Sequence, residues 1–384
     1  MKLPPAWKVK RELWRVKEQV QRNLESLFVE RMRQFFYDRA VTRLVRETPG
    51  MLPITSRVAV FVIFQPHGLA PSILFTLEHL AKENWSVLVV SNAPLALADR
   101  DRLVPACSYL LERPNIGYDF GAYREGWRWL DRRKMGSERR ILMNDSTWFP
   151  LRSDDDTLRR MEAGAADLAG HVFKTEVSSD PRHDHVESHL LMFSRQAITS
   201  PEIMNFWSSY RMSNSKAMTI WRGEKGITAT ALSAGLKVKG QLDREQIISL
   251  LSIMSDADLL GVAEDLVLHN QAGRIFREEI LKRSQNDLLW RDDFILWVDG
   301  ELANSRQHLV SAAFIVAAMV FGRMGFIKKS SEMRFNLARI AVMKAAEEGK
   351  VPPLDPCIAD EIAAAIASWR EPKQKWAPDI KRLE

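Results

Sequence analysis

Residues 58–64 of this 384-residue chain read VAVFVIF, an unbroken run of apolar side chains. Such a run, without polar alternation, is typical of a central parallel strand that is covered on both faces. A second run, SVLVVS, follows at residues 86–91, and a helical pattern at residues 72–82 lies between the two. Strand, helix and strand in this order predict a right-handed crossover within a mainly parallel α/β sheet.

The same alternation continues toward the C-terminus. Further strand patterns occupy residues 107–112, 140–143, 167–172 and 189–193, and helical patterns occupy residues 95–104 and 120–131. We therefore expect a doubly wound sheet with flanking helices. From about residue 243 the pattern is almost wholly helical, with helices expected at residues 244–254, 256–269, 309–321, 333–348 and 359–370.

The first 48 residues form a basic segment. Apolar residues recur at helical spacing between Leu13 and Leu27 and predict an amphipathic helix over residues 9–46, which Pro49 and Gly50 end. Its basic residues are better explained as the solvated face of the helix than as a dedicated surface for anionic lipid. The apolar stripe would then dock on the main body or on a second subunit. The chain thus divides into a basic amphipathic helix (1–48), an α/β domain (49–242) and a helical C-terminal region (243–384).

Cysteine content and the N-terminal sequence favour a reducing compartment. The two cysteines, Cys107 and Cys357, are too few for a disulfide framework, and the first residues lack the apolar core of a secretory signal. The longest apolar run, residues 309–321, is too short to cross a bilayer. We expect a cytoplasmic protein, with peripheral contact at the inner face of the membrane left open. Signatures of serine hydrolases, P-loop NTPases, zincins, common dinucleotide enzymes and nucleic-acid-binding proteins are missing from the sequence.

A glycine-rich turn follows the third predicted strand. It contains Asn115, Gly117, Asp119 and Gly121 just before a helical pattern. Backbone N–H groups at such a turn, together with a helix N-terminus, can hold an anion such as a diphosphate. Glycines that are needed only for a tight turn, with Asp119 as a helix cap, explain the pattern equally well.

A second polar cluster ends the fourth predicted strand at Asn144 and Asp145. A carboxylate flanked by an amide and by hydroxyl groups can hold Mg²⁺ or Mn²⁺ on a nucleotide diphosphate, because such ions need one or two protein carboxylates. The alternative is that Asp145 caps the next turn. The acidic run at residues 154–156 is better explained as the cap and first-turn charge of a helix.

Four of the eight histidines, His171, His183, His185 and His189, lie within nineteen positions. His183 and His185, with Asp184 and Glu187 beside them, have the residue types of a metal site. A second ligand pair at recognisable spacing does not accompany them, so a polar active-site rim is favoured over a zinc centre.

These clusters resemble the rhamnan synthesis protein F family of bacterial polysaccharide glycosyltransferases. The strings that carry the resemblance are VAVFVIF (58–64), VLVVSN (87–92), RPNIGYDFGAYREGW (113–127), RRILMNDSTWFPL (139–151), HVESHLLMFSRQAITSPEIMNFW (185–207) and GEKGITATALSAGLKV (223–238), with a weaker echo in GFIKKSSEMRFN (325–336). The resemblance covers about residues 57 to 240 and this later echo. It implies a GT-A-like fold and the transfer of a sugar, often rhamnose from a dTDP-linked donor, to a growing glycan.

The resemblance also implies roles for single residues. It places these residues at the nucleotide-sugar: Asn115, Gly117, Tyr118, Asp119, Gly121, Asn144 and Ser188. Asn144 and Asp145 take the place of the DxD metal motif, so that Asp145 is the expected ligand of a divalent cation. His185 and Ser188 would face the sugar or the acceptor. Glu187-Ser188-His189 stands where the family pattern suggests Gln-Ser-Tyr, and the candidate catalytic residues are Glu187, His189 and His185, the first two as possible bases.

The implied partners are a nucleotide-sugar and a glycan or lipid-linked glycan, as in lipopolysaccharide synthesis, with contacts to the membrane or to assembly proteins left open and no nucleic acid. Three other interpretations remain. One keeps the fold with a different donor or reaction, because fold does not fix function. Another is a non-catalytic subunit of a polysaccharide assembly system that retains the glycosyltransferase fold, which the replacement of DxD by Asn-Asp-Ser keeps open. The third is a nucleic-acid or membrane adaptor, which rests only on the basic N-terminal segment.

Overall fold

A computed structural model describes residues 29–175, 184–304, 309–321 and 324–369. Residues 1–28, which hold most of the expected N-terminal helix, lie outside the described residues, and so does His183.

The helices and strands alternate as expected through the first half of the chain. They are α1 (Glu30–Leu44), β1 (Arg46–Pro49), β2 (Arg57–Ile63), α2 (Pro71–Lys82), β3 (Ser86–Ser91), α3 (Leu97–Leu103), β4 (Tyr109–Glu112), α4 (Tyr118–Arg132), β5 (Arg139–Asn144), β6 (Thr147–Trp148), α5 (Thr157–Ala163) and β7 (Leu168–Lys174). The two apolar runs that decide the fold are therefore β2 and β3, and almost every side chain of these strands is buried.

The second half is mainly helical. Its elements are β8 (His185–Val186), β9 (Leu190–Ser194), α6 (Arg195–Thr199), α7 (Pro201–Ser209), α8 (Lys216–Thr219), α9 (Gly226–Ser233), β10 (Val238–Leu242), α10 (Arg244–Ile253), α11 (Asp256–Glu264), α12 (Gln271–Arg283), α13 (Trp290–Asn304), α14 (Ile315–Val320), β11 (Ile327–Lys328), α15 (Met333–Glu347) and α16 (Pro356–Ser368). The apolar run at residues 309–321 begins with a wide π-helical turn, Leu309–Ala313, before α14. Within the described residues, no helix has the length and apolarity needed to span a membrane.

The chain forms two compact units. The described residues of unit 1 fall within Met1–Leu69, Leu80–Asn144 and Leu190–Val238. Those of unit 2 fall within Ala70–His79, Asp145–His189 and Lys239–Glu384.

Unit 1 contains a sheet in the order β1-β4-β3-β2-β5-β9. The four central strands β4, β3, β2 and β5 are parallel, while β1 and β9 join them antiparallel. This confirms the predicted mainly parallel α/β sheet with flanking helices. The chain fills the sheet from β2 outward to β4 and then returns to the other side of β2 with β5. The direction of filling thus reverses between β2 and β5, and ligands of open α/β sheets bind beyond the carboxyl ends of strands at such a point.

The helix expected over residues 9–46 ends earlier than predicted. Its described part, α1, ends at Leu44, and Arg46–Pro49 pairs with β4 as an edge strand, where a proline without an N–H group is tolerated. Within unit 1, Tyr37 of α1 is 2% exposed and its hydroxyl donates to Glu125 Oε2 at 3.1 Å. The Asp38 carboxylate accepts from Arg124 and Arg128 at 2.8 and 2.9 Å. The described part of the helix therefore docks onto α4, one of the roles expected for it.

Unit 2 contains most of the helices and short antiparallel strand pairs. β6 pairs with β11, and β7 pairs with β8, so that Lys174 lies opposite His185. The Glu361 carboxylate on α16 joins the start of α2 to β6, since it accepts from Ser72 N and Oγ and from Trp148 Nε1 at 2.7 to 2.8 Å.

Candidate active site

The polar residues of unit 1 gather where its parallel strands end. Asn144 is the last residue of β5 and is paired in register with Val62 near the end of β2. Asn92 follows β3, and Arg113 follows β4. Because the strands are parallel, these three residues lie at one edge of the sheet, next to the point where the direction of filling reverses.

Arg113 organises this edge. Its side chain is 3% exposed, and its guanidinium donates to Asn92 Oδ1 at 2.6 Å and to the Ile116 carbonyl at 2.8 Å. A third bond, from Nε to the Tyr37 hydroxyl at 3.1 Å, links the edge to α1. A buried cation with several hydrogen bonds fixes the loop between β4 and α4.

The glycines of this loop are required by packing. Gly117 has φ 81° and precedes α4, where a Cβ would lie 2.8 Å from Met212 Cβ. Its N–H donates to Asn214 Oδ1 at 3.0 Å. A Cβ on Gly121 would lie 2.1 Å from the Ile116 carbonyl oxygen. These contacts are a sufficient reason for both glycines, which supports the tight-turn explanation; a ligand role for the glycines stays a prediction.

Two of the predicted donor-site residues meet directly. Asn144 Nδ2 donates to Asp119 Oδ2 at 2.8 Å, and Asn92 Nδ2 donates to the Tyr118 carbonyl at 3.3 Å. Asp119 lies in the first turn of α4, and Tyr118, with φ 51°, is 40% exposed. Asn115 is exposed on the same loop. The edge therefore presents an amide, a carboxylate and the N-terminus of a fifteen-residue helix.

Asp145 belongs to unit 2 and begins the turn before β6. A lysine lies close to this turn: Lys329 donates its N–H to the Ser146 carbonyl at 2.8 Å, and its Nζ donates to Ser72 Oγ at 3.0 Å. Burial lowers the pKa of Lys329, although the carboxylates of Glu361 and Asp145 act against that shift. Among the described residues, no group of three or more His, Cys, Asp and Glu is arranged to hold a metal ion. Asp145 offers one carboxylate, which suits an ion whose other ligands are phosphate and water, and its metal role stays a prediction.

The predicted base Glu187 lies in a cluster of unit 2 that we call the Glu187 cluster: Glu187, His189, His171, Lys174, Lys328 and Phe326. The Glu187 side chain is 2% exposed, and its Oε1 lies 2.6 Å from Lys174 Nζ while its Oε2 lies 2.8 Å from Lys328 Nζ. Burial raises the pKa of Glu187, but the two ammonium groups outweigh that effect and hold it well below the usual range of a glutamate. The carboxylate is thus ionised and is a weak proton acceptor.

The two histidines of the Glu187 cluster are buried and neutral. His189 Nε2 and His171 Nδ1 are 2.8 Å apart, and both rings pack on Phe326. Burial lowers the pKa of His171 to about 3, and burial together with the charge of Lys328 lowers the pKa of His189 well below its usual value. His185 is 7% exposed in β8, and Ser188 lies half-buried in the turn after Glu187.

The structure thus brings the predicted residues together in two sets. Unit 1 holds Asn115, Gly117, Tyr118, Asp119, Gly121 and Asn144, and unit 2 holds Asp145, His185, Glu187, Ser188 and His189. Sequence reasoning gave no role to Asn92, Arg113, Lys174 or Lys328. For Asn92, Arg113 and Lys328 a signal existed, because all three stand in strings that carry the family resemblance.

A family model of rhamnan synthesis protein F matches residues 87–289, more than half of the 384 residues. The chain belongs to the rhamnan synthesis protein F family. The matched region includes the polar edge of unit 1 and Glu187, whereas Lys328 lies C-terminal to it.

Two individual proteins are also similar to this member of the family. An uncharacterized protein, y4gN, of Sinorhizobium fredii is 32% identical over 241 residues, which cover 63% of this chain and 62% of the relative. The match therefore spans less than two thirds of that relative. The solved structure of a mannosyltransferase from Pyrobaculum calidifontis, in complex with GDP-Man and Mn²⁺, aligns over 88% of this chain and 92% of its own, with 12% identity and a TM-score of 0.32. At these values the alignment does not establish a shared fold.

Proposed function

We propose that this protein is a glycosyltransferase that moves a sugar from a nucleotide-diphosphate donor to a growing cell-surface polysaccharide. Membership of the rhamnan synthesis protein F family carries this proposal. The sheet of unit 1 supports it, because Asn92, Arg113 and Asn144 lie at the strand ends where open α/β sheets bind ligands. Within the proposal the fold is GT-A-like, and the donor is a nucleotide-linked rhamnose such as dTDP-rhamnose.

In this reaction the acceptor hydroxyl attacks the anomeric carbon of the donor sugar. A new carbon–oxygen bond forms while the bond from that carbon to the diphosphate oxygen breaks, and the nucleoside diphosphate leaves with the electron pair. The hydroxyl proton must pass to a base. We assign the base to His185, because the family resemblance places this residue at the sugar or the acceptor, whereas both oxygens of Glu187 are held by lysines. Asp145 would hold a divalent cation on the diphosphate, and that cation would stabilise the leaving charge.

The acceptor is a glycan or a lipid-linked glycan. This assignment follows from the family and from the chemistry of polymer extension, in which the acceptor is the end of the existing chain. A lipid-linked acceptor would bring the protein to the cytoplasmic face of the membrane, as a peripheral protein or through assembly partners. Sugar transfer to unextended acceptor is measured in solution, with and without vesicles of anionic lipid. A dependence of transfer on the vesicles indicates direct peripheral binding, and no dependence indicates recruitment by assembly partners.

Nucleotide binding is the decisive test. Thermal unfolding is measured with dTDP, UDP and GDP, each with and without Mn²⁺, on the wild type, Asp145→Ala and the control Asp154→Ala, whose side chain is 65% exposed. Ligand at about 100 times Kd raises the free energy of unfolding by about 2.7 kcal/mol. We expect this rise for one nucleotide in the wild type and in the control, and a smaller rise in Asp145→Ala. Wild-type protein that binds none of the three contradicts the proposal.

The second candidate function is a non-catalytic subunit of a polysaccharide assembly system. The clamped carboxylate of Glu187 favours it, because a carboxylate with a strongly lowered pKa serves structure better than proton transfer. Hydrolysis of the donor by purified protein distinguishes the two functions. Slow release of free sugar in the wild type, and a loss of at least tenfold in His185→Gln, supports the enzyme.

A further inference from the structure

Helix α1 turns polar side chains toward unit 1, whereas a docked helix usually buries an apolar stripe. The docked side chains recur at helical spacing and are Glu30, Gln34, Tyr37 and Asp38. Tyr37 and Asp38 bond to α4, as described above, and the Glu30 carboxylate accepts from Arg222 at 2.6 Å. The Gln34 amide donates to the Tyr210 carbonyl at 3.0 Å and accepts from the Met212 N–H at 2.9 Å. The contact of α1 with unit 1 is therefore built from hydrogen bonds and ion pairs.

The opposite side of the helix exposes four large apolar side chains. They are 45% to 60% exposed and are Val29, Met32, Phe35 and Phe36. Val29, Met32 and Phe36 are three and four residues apart, so they line one side of the helix. Phe35 lies beside them, with its ring centroid 5.7 Å from that of Phe36. Single exposed apolar side chains are ordinary, but a contiguous group marks an interaction surface.

The charges on this side of α1 indicate what the surface binds. Arg39 and Arg43 continue the same side of the helix and are exposed, and the Arg39 guanidinium lies 3.8 Å from the centroid of the Phe35 ring. The two acids of α1, Glu30 and Asp38, lie on the docked side, where arginines engage both. We call the four apolar residues together with Arg39 and Arg43 the outer face. Within the described part of α1 this face carries only positive charge, so its partner should be apolar and anionic.

We propose that the outer face docks on an anionic lipid bilayer, with Phe35 and Phe36 at the boundary between headgroups and acyl chains. In such a position apolar side chains enter the bilayer while arginines keep their charge at the headgroups. A second copy of the chain is a poorer partner, because a twofold interface places the same patch on both subunits and brings the arginines together. Residues 1–28 are also a poorer partner, since they contain seven lysines and arginines against three glutamates. This assignment goes beyond the proposed function and does not depend on it.

Binding of the full chain to vesicles tests the apolar part of the face. Affinity is measured by co-sedimentation with vesicles of phosphatidylcholine alone and of phosphatidylcholine mixed with phosphatidylglycerol. We expect the wild type to prefer the mixed vesicles, and Phe35→Ser combined with Phe36→Ser to bind them at least tenfold more weakly. Leu288→Ser combined with Leu289→Ser is the control, because these side chains are 94% and 63% exposed outside α1, and it should bind as the wild type does.

Charge reversal tests the basic part of the face. Arg39→Glu combined with Arg43→Glu should also bind mixed vesicles at least tenfold more weakly, since each arginine near an anionic surface contributes about fivefold in affinity. Arg195→Glu combined with Lys344→Glu removes the same charge from exposed positions outside α1 and is the control. Equal losses in the two pairs would overturn the proposal, because net charge alone would then explain binding. The arginine pair also decides the question if the serine pair fails to fold.

A polarity-sensitive dye reports whether the face itself enters the lipid. It is attached to Phe36→Cys, and to Leu288→Cys as the control, after Cys357 is replaced by serine; Cys107 is buried. We expect a blue shift with mixed vesicles at the first position only. No shift there, or vesicle binding by the serine pair equal to that of the wild type, overturns the proposal.

The remaining outcomes separate this surface from other partners and from the donor site. A wild-type dimer that the serine pair dissociates, without binding to vesicles, assigns the face to a second copy and overturns the lipid assignment. Vesicle binding through the face by a protein that binds no nucleotide supports the surface and contradicts the nucleotide donor. Nucleotide binding by a wild type that binds no vesicles overturns the surface and leaves the proposed function standing.

Discussion

The polar edge of unit 1 and the Glu187 cluster of unit 2 hold their functional groups by different physical means. At the edge, Arg113 is fixed by hydrogen bonds to Asn92 and to the Ile116 carbonyl, and Asn144 by one to Asp119, at 2.6 to 2.8 Å. In the cluster, a buried carboxylate is fixed by two lysines, one of which, Lys328, is far from it in sequence. The edge relies on hydrogen bonds and on close backbone packing at its glycines, whereas the cluster relies on charge balance. Substitutions that change shape should therefore affect the first region, and changes of pH should affect the second.

The largest effect is expected from Gly121→Ala at the edge. The new Cβ would lie 2.1 Å from the Ile116 carbonyl oxygen, a backbone atom that cannot move without distorting the loop. We expect a loss of about 3 kcal/mol or more in the free energy of unfolding, measured by chemical denaturation. Gly136→Ala is the control, because no atom lies within 4 Å of its Cβ, and its stability should be equal to or slightly above that of the wild type. If Gly121→Ala is as stable as the wild type but fails to bind nucleotide, the glycine serves the ligand and the contrast between the regions fails.

A pH effect of intermediate size is expected from the Glu187 cluster. The pKa of His171 is about 3 in the folded chain and about 6.5 in the unfolded chain, so between these values the unfolded chain binds more protons. Stability should therefore fall as pH drops below about 6.5, by about 1.4 kcal/mol per pH unit for this histidine. The lowered pKa of Glu187 contributes stability that is lost only when the pH falls below the ordinary pKa of a glutamate. This loss therefore lies outside the window from pH 7 to 5.

His171→Phe tests this slope because it keeps an aromatic ring against Phe149 and Phe326. The charged groups that act on His171 are Glu187, Arg160 and Lys328, and all remain in the variant. We expect the dependence of unfolding free energy on pH between 6 and 5 to become shallower by about 1.4 kcal/mol per unit. His67→Gln, at an exposed position, should keep the wild-type slope. An unchanged slope in His171→Phe would show that charge balance does not govern this region.

The same contrast explains how far the sequence could predict the molecule. The strands β2 and β3 follow from local apolar runs, and the parallel sheet follows from their alternation with helices. The position of the polar edge was also predictable, because residues that follow parallel strands must lie at the same edge of the sheet. By contrast, the pattern beyond residue 194 gave no sign of the short helices α6 to α9. The edge strand at Arg46–Pro49, just after the predicted helix, was not expected either.

The protonation state of the predicted base could not be predicted from the sequence. Glu187, Ser188 and His189 look like a set of titratable active-site groups when they are read along the chain. Their pKa values depend on Lys328 and Phe326, which reach them through the pairing of β6 with β11 and not through sequence proximity. Apolar pattern predicts burial, but it does not predict which charges meet in a buried site.

The smallest change in stability, and the most informative one for the edge, is expected from Asn144→Ala. The substitution removes the hydrogen bond of 2.8 Å to Asp119, and a single hydrogen bond contributes about 1 kcal/mol to stability. Asn304→Ala, which removes an exposed bond of 2.7 Å to the Gly300 carbonyl in unit 2, is the control. We expect it to lose less stability than Asn144→Ala without ligand, because Asn144 is buried, and we expect the nucleotide to stabilise it as it stabilises the wild type. The rise of about 2.7 kcal/mol should be largely lost in Asn144→Ala, since Asp119 would no longer be oriented at the strand end. An equal rise in both variants would mean that the amide and the carboxylate support the fold alone.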